Sequence, residues 1–236
     1  MRRLFFAVFL VVACATGAAA DSYEDALSAL KRDDNAVAAR LFRPLAEKGH
    51  AGAQSHLGIL YAHGEGVPQD YQVAGQWYRK AAEQGGARAQ YNLGWMYWKG
   101  LGVSKDPQEA AKWYRKAAEQ GNAGAQNNLG LLYGLGLGVP QDAQESAKWY
   151  RKAAVQGDER AQYNLGLIYT NGQGISQDFI RAYMWSHLAA ATSSGSGAIE
   201  LKKLQGDVTS RMTAAQIGQA QEMARRCQDT KFKECD

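Results

Sequence analysis

The sequence predicts an all-α solenoid of stacked antiparallel helical hairpins, and three observations carry that expectation. The chain of 236 residues repeats itself with a period of 36. Its apolar positions recur at helical rather than strand spacing. Glycines punctuate every copy at the same places, as breaks between helices require. A period of this length marks an architecture in which each unit is a helical pair that cannot bury its apolar face alone and gains stability from its neighbours.

Four copies occupy residues 49–84, 85–120, 121–156 and 157–192. Leu-Gly recurs at Leu57-Gly58, Leu93-Gly94, Leu129-Gly130 and Leu165-Gly166, followed by Tyr61, Tyr97, Tyr133 and Tyr169. Within a copy, Ala53, Leu57 and Tyr61 stand at i, i+4 and i+8, one face of a first helix. A G-x-G element then begins at Gly64, Gly100, Gly136 or Gly172 and ends that helix. A second helix is expected after Asp70, Asp106, Asp142 or Asp178, with a capping box at Asp142 to Glu145 and a proline suited to the first helical position at Pro107. Each second helix should carry its tryptophan, Trp77, Trp113, Trp149 or Trp185, into the core.

The flanks read as caps. Residues 21–48 match the second-helix phase through Ala38, Leu41 and Phe42 and form a degenerate first pair. Beyond residue 192 the period breaks in a Ser- and Gly-rich stretch, Ser193 to Gly197, of loop composition. Two further helices follow in residues 193–236, the second opened by a capping box at Thr213 to Gln216 and running to about Cys227.

Residues 1–20 have the pattern of a secretory signal peptide: Arg2 and Arg3, an apolar run from Leu4 to Ala13, and Ala18-Ala19-Ala20 before Asp21. The run is too short to cross a hydrocarbon layer of roughly 30 Å. Export to the periplasm or outside the cell is therefore expected. Val11 to Cys14 also fits a lipobox, which would leave the protein anchored through an acylated Cys14. The A-x-A cut gives a signal of ordinary length and is favoured. Of the remaining cysteines, Cys227 and Cys235 form an even pair, which in an exported protein reads as a disulfide closing the tail.

The formal charge of +4 includes two arginines of the signal, so the remainder carries +2. With no lysine- or arginine-rich block to neutralise a run of phosphates, nucleic acid is set aside as a partner.

The recurring string A-x-A-Q-x-x-L-G-x-x-Y-x-x-G-x-G-V, followed by W-Y-R-K-A-A-x-Q-G in the first three copies, resembles the Sel1-like repeat family, relatives of the tetratricopeptide repeats. The segment from Arg211 to Ile217 resembles the ending of many bacterial members. Copy four departs, with Trp185-Ser186-His187-Leu188 in place of W-Y-R-K. The resemblance implies a right-handed superhelix and a non-enzymatic scaffold or adaptor that binds another protein or peptide, without a cofactor. It also implies that the first helix of each pair lines a concave groove.

Positions that vary between copies on the first helices are then the candidate contacts. The stripe starts at Ser55, Tyr91, Asn127 and Tyr163, continues at Ile59, Trp95, Leu131 and Leu167, and ends at Ala62, Trp98, Gly134 and Thr170. Tyr91, Trp95 and Trp98 make copy two aromatic throughout, the usual composition of an interface hot spot. Packing against neighbouring first helices would account for those rings equally well. Asn92, Asn128 and Asn164, with His56 in the same phase, could hydrogen-bond a peptide backbone or the adjacent hairpin.

The rival class is a serine hydrolase, because some cysteine-rich relatives have been described as β-lactamases. Ser28 to Lys31 fits S-x-x-K, but the companions S-D-N and K-T-G do not occur. His56 and His63 stand about 10 Å apart along a helix, too far for one metal ion, and His50 and His187 have no acidic or cysteine companion at ligand spacing. No metal site is expected.

Overall fold

A computed structural model describes residues 22–191, 193 and 195–235. The signal peptide read in residues 1–20 and the anchor read at Cys14 lie outside the described residues. Among the described residues every regular element is a helix: α1 (22–31), α2 (Asn35–Glu47), α3 (Ala51–His63), α4 (Tyr71–Glu83), α5 (Ala87–Lys99), α6 (Pro107–Glu119), α7 (Ala123–Leu135), α8 (Ala143–Ala154), α9 (Glu159–Asn171), α10 (Phe179–Ala190), α11 (Ser196–Thr209) and α12 (Ala214–Asp229). The fold is an all-α solenoid of helical hairpins. Its helices fall into two compact units, one ending at Asp106 and one beginning at Pro107.

In the first unit α2 to α5 pack each on the next, and Ala26, Ala29, Ala38, Phe42, Ala53, Leu57 and Leu60 form its core. The degenerate first pair is thus α1 and α2, with Phe42 fully buried. In the second unit α6 to α10 pack in the same sequential way, and α10 also receives α11 and α12. Its core runs through Ala153, Leu165, Met184, Trp185, Val208, Ala220 and Ala224.

Capping fixes where each helix starts. The carboxylate of Asp70 accepts from the N–H groups of Gln72 and Val73, and that of Asp142 from Gln144 and Glu145. The expected capping box at Asp142 is only half formed: the Asp142 N–H already donates to the Tyr133 carbonyl at 2.9 Å, and Glu145 pairs with Lys148 at 2.8 Å. At Thr213 both halves are present. First helices are capped by the side chains of His50, Asn122 and Asp158.

The second glycine of each G-x-G has a steric reason beyond its turn. Gly102 has φ +66°, and a β-carbon there would lie 2.2 Å from the carbonyl oxygen of Tyr71; Gly138 stands in the same relation to Pro107 at 2.1 Å. Backbone thus meets backbone between successive hairpins, an approach that glycine alone permits.

Each letter of W-Y-R-K has its own contact. The lysine lies over the tryptophan ring one turn earlier, 4.5 Å from Lys80 to Trp77 and 4.3 Å from Lys116 to Trp113 and from Lys152 to Trp149. The tyrosine ring packs on the Leu-Gly glycine, Tyr78 on Gly58 and Tyr150 on Gly130. The arginine reaches the next first helix, where Arg79 donates to the Tyr97 hydroxyl and Arg115 to that of Tyr133. Arg43 donates likewise to Tyr61, at 2.7 Å. These tyrosines, expected on the core face, are half-buried, because a phenol that accepts from a partly solvated guanidinium sits at the edge of the core; Tyr169 is buried. Trp77 is half-buried as well, while Trp113, Trp149 and Trp185 are core.

The glutamine of A-x-A-Q, to which the sequence assigned no contact, closes the end of the preceding helix. Gln54, Gln90, Gln126 and Gln162 are buried, and each donates to a carbonyl eight residues back, Ala46, Ala82, Ala118 and Ala154. Each of those carbonyls, at a helix C-terminus, already accepts from the N–H of the glycine that follows, Gly49, Gly85, Gly121 or Gly157, and the glutamine fills its second lone pair.

Copy four departs from the pattern in a way that seats the terminal helices. Ser186 replaces the motif tyrosine, is fully buried, and donates to the Tyr183 carbonyl. The space beside Gly166 is taken instead by Leu204 of α11. Helix α11 starts at Ser196, inside the stretch read as loop. Cys227 and Cys235 are joined by a disulfide, and the loop it closes lays Phe232 against the turn at Gly157.

Candidate functional site

The first unit holds a cleft of about 210 Å³ lined by Tyr71, Tyr78, Tyr91, Asn92, Trp95 and Met96, with Ala62 and His63 completing it. Tyr91, Asn92 and Trp95 come from α5, one helical turn apart, and Tyr71 and Tyr78 from α4. Tyr91, Asn92 and Trp95 are each half-buried, a setting in which an aromatic ring both packs and stays reachable. Burial pushes the Tyr78 hydroxyl well above the ordinary phenol range, opposed by the nearby Arg88 charge and a hydrogen bond with Asn92.

Asn92 serves the hydroxyl of the tyrosine on the preceding second helix. One period earlier the equivalent ring is Phe42 of the degenerate pair, which has no hydroxyl, and the equivalent of Asn92 is His56. The His56 ring stacks on Phe42 at 4.9 Å with an interplanar angle of 5°. Burial, then the Arg88 charge, lowers the His56 pKa.

Trp98, expected beside Trp95, does not line this cleft. It is half-buried, with the Lys105 ammonium 5.7 Å from its ring centroid. Trp98 shares a helix face with Tyr91 and Trp95 but stands about 4.5 Å further along α5 than Trp95, beyond the side chains that line the cleft.

Asn128, Tyr163 and Asn164 come together in the second unit, in a cleft of about 320 Å³ shared with Asn127, Glu159, Arg160 and Glu200. Asn164 donates to Asn127 at 3.3 Å, and Asn127 to Asn128 at 3.3 Å. Asn127 is itself buried and so belongs to the wall rather than the open stripe. Thr170, also on that stripe, is buried and donates to the Gly166 carbonyl.

Sequence reading missed Tyr71 and His63 in the first cleft. Both break the period, since other copies have Pro107, Ala143 and Phe179 at the first position and Lys99, Leu135 and Asn171 at the second. It also missed Glu200, which only the packing of α11 brings to Tyr163.

The repeat agrees with comparisons to known proteins. The Sel1 repeat pattern matches residues 16–50, 51–86, 87–122, 123–158 and 159–191. The chain belongs to the Sel1 repeat family. The degenerate first pair is thereby a fifth Sel1 repeat. A Sel1 repeat protein from Oxalobacter formigenes is 39% identical over 77% of this chain and 74% of its own, with a TM-score of 0.70. A protective antigen present in uropathogenic Escherichia coli strains, displaying an SLR fold, is 26% identical, with a TM-score of 0.50. The alignment covers 94% of this chain but 63% of that one. A sel1 repeat protein from Klebsiella pneumoniae subsp. pneumoniae shares the fold at 21% identity and a TM-score of 0.53, over 80% of this chain and 94% of its own. No curated protein matches. Sel1 repeat proteins mediate protein–protein interaction and are typically non-enzymatic scaffolds.

For the S-x-x-K serine, Ser28 is half-buried on α1 and Lys31 stands exposed at its last residue. A lysine base is made by desolvation, which an exposed ammonium lacks. Among the described residues no group of three or more His, Cys, Asp or Glu side chains is placed to hold a metal ion. Among them, too, no helix is long and apolar enough to cross a membrane.

Proposed function

We propose that this Sel1 repeat protein is an exported, non-enzymatic scaffold that binds an extended segment of another protein in the aromatic cleft of its first unit. The observation that carries the reading is the convergence of Tyr71, Tyr91 and Trp95, none of them repeated as an aromatic in every copy, on one cleft, whereas Trp113, Tyr114, Trp149, Tyr150 and Trp185 are buried in the core. Half-buried aromatic residues around a concave surface are the residues that dominate binding energy at protein interfaces. Trp95 has no counterpart ring in the other copies, where Ile59, Leu131 and Leu167 occupy its position, so the fold does not demand it. The cleft of Asn128, Tyr163 and Asn164 supplies a second, more polar contact region. Export to the periplasm or beyond follows from residues 1–20, and a disulfide between Cys227 and Cys235 suits an oxidising compartment.

The test is site-directed photocrosslinking in the native envelope fraction with a crosslinking residue in place of Tyr91, in the parent and in a Trp95→Ala background. A discrete protein adduct that disappears with Trp95→Ala, while the circular dichroism melt stays close to the parent's, supports the cleft as the partner site. An adduct of equal yield in both backgrounds overturns it.

A further inference from the structure

A different cleft, of about 360 Å³, opens in the second unit between α8, α9 and the turn that precedes α10. Its floor is apolar, with Leu165 and Tyr169 buried and Ile175 half-buried. Its wall carries three cations, Lys148, Arg151 and Lys152, and no carboxylate is among the lining side chains. We propose that this cleft is a second recognition site, selective for an extended acidic peptide segment that carries an apolar side chain.

Three features favour that occupant. Lys148, Arg151 and Lys152 stand at i, i+3 and i+4 of one helix, so they share a face. Four residues of helix rise about 6 Å, close to the roughly 6.6 Å between alternate side chains of an extended chain. Carboxylates two residues apart therefore meet Lys148 and Lys152 in register.

The cations are also held in place before any ligand arrives. Lys152 lies over the Trp149 ring at 4.3 Å. Lys148 is bridged to Glu145, but at 57% side-chain exposure that pair is solvated and weak enough to be exchanged. The same arrangement recurs one helix pair earlier in this unit, where Lys112, Arg115 and Lys116 occupy the matching positions of α6 and Glu109 pairs with Lys112.

The third feature is the floor. An apolar pocket beside the cations suits a peptide, which can alternate acidic and aliphatic side chains, better than a nucleic-acid strand, whose charge recurs at every residue. Glu145 beside Lys148 further disfavours a dense polyanion. None of this was visible in the overall charge, because the cations are gathered on one face by helical spacing.

Fluorescence anisotropy with the full chain tests the assignment. The probes are a labelled peptide of alternating Glu and Leu, the same peptide with Gln for Glu, and a labelled oligothymidylate; vesicles of phosphatidylglycerol are tested by co-sedimentation. Expected is saturable binding of the acidic peptide, weakened about tenfold or more by Gln for Glu and by the pair Lys148→Glu, Lys152→Glu. The pair Lys202→Glu, Lys203→Glu on α11 makes the same charge change away from the cleft and should leave binding unchanged. Absence of peptide binding, equal loss with the α11 pair, or tighter binding of oligothymidylate or vesicles each overturns the proposal. Circular dichroism melts of the charge variants confirm that a loss of binding is not a loss of fold.

Discussion

The ring of Tyr78 lies against Gly58 so closely that a β-carbon on the glycine would come within 2.5 Å of the ring's Cδ1 atom. Tyr78 is buried and cannot swing aside. Gly58→Ala should therefore overpack the hairpin and destabilise the protein by about 1–3 kcal/mol. Gly206 is the control, since it lies within α11 with nothing inside 4 Å of the position its β-carbon would take. There the substitution to Ala removes the helix penalty of glycine and should stabilise by about 0.5–1 kcal/mol. Urea denaturation of the two variants should show midpoints moving in opposite directions, and a shift of the same sign in both would refute the steric account.

A pH dependence follows from His56, whose pKa is lowered from 6.5 by burial and by Arg88. Above about pH 6.5 the ring is neutral in both folded and unfolded chains and costs nothing. As the pH falls through 6.5 the unfolded chain takes up a proton that the folded chain resists, so stability declines until the lowered folded pKa is passed. Replacing His56 with Asn, the residue of the other copies, should flatten that decline. The comparison of melting temperature against pH for the two proteins isolates His56 from His50, His63 and His187, and superimposable curves would exclude it.

The fold was legible because each periodic letter answers a packing need repeated in every hairpin. Leu57, Gly58, Trp113 and the G-x-G glycines could be assigned from spacing alone. The buried glutamines could not, because a side chain bonding a carbonyl eight residues back depends on how one helix ends beside the start of the next. For the site, the useful signal was departure from the period, which found Tyr91 and Trp95 and would have found Tyr71. It did not separate Trp98, which stands further along α5 than the cleft reaches, or Asn127, which the hydrogen bond to Asn164 draws into the wall. Glu145 shows a different limit, since the Asp142 N–H that would complete its capping box is taken by the Tyr133 carbonyl, a contact between helix and turn that spacing does not reveal.

The C-terminal disulfide should act as a local clamp. Cys227 and Cys235 are both buried, and the short loop between them carries Phe232 onto the second unit's core. Replacing both cysteines with alanine should cost about 2–3 kcal/mol, chiefly by freeing the unfolded or frayed tail. Hydrogen exchange would then show faster exchange at Thr230 to Glu234 and little change in α3 to α5. Uniform loss of protection over the whole chain would mean that the clamp is integral to the fold instead.

Trp95 and Trp185 separate the binding role of a tryptophan from its structural one. Trp185 is fully buried in the second unit's core, and its truncation to alanine leaves a cavity costing about 3–5 kcal/mol. Trp95 is half-buried and lines an open cleft, so Trp95→Ala should cost about 1 kcal/mol, in proportion to the smaller apolar area it covers. At this chain length the second value corresponds to a fall of roughly 2–4 °C in melting temperature, with Trp185→Ala several times larger. Calorimetry of the two variants should rank them in that order. If Trp95→Ala melts as low as Trp185→Ala, the ring is a core residue, and the cleft it lines loses its claim to a partner.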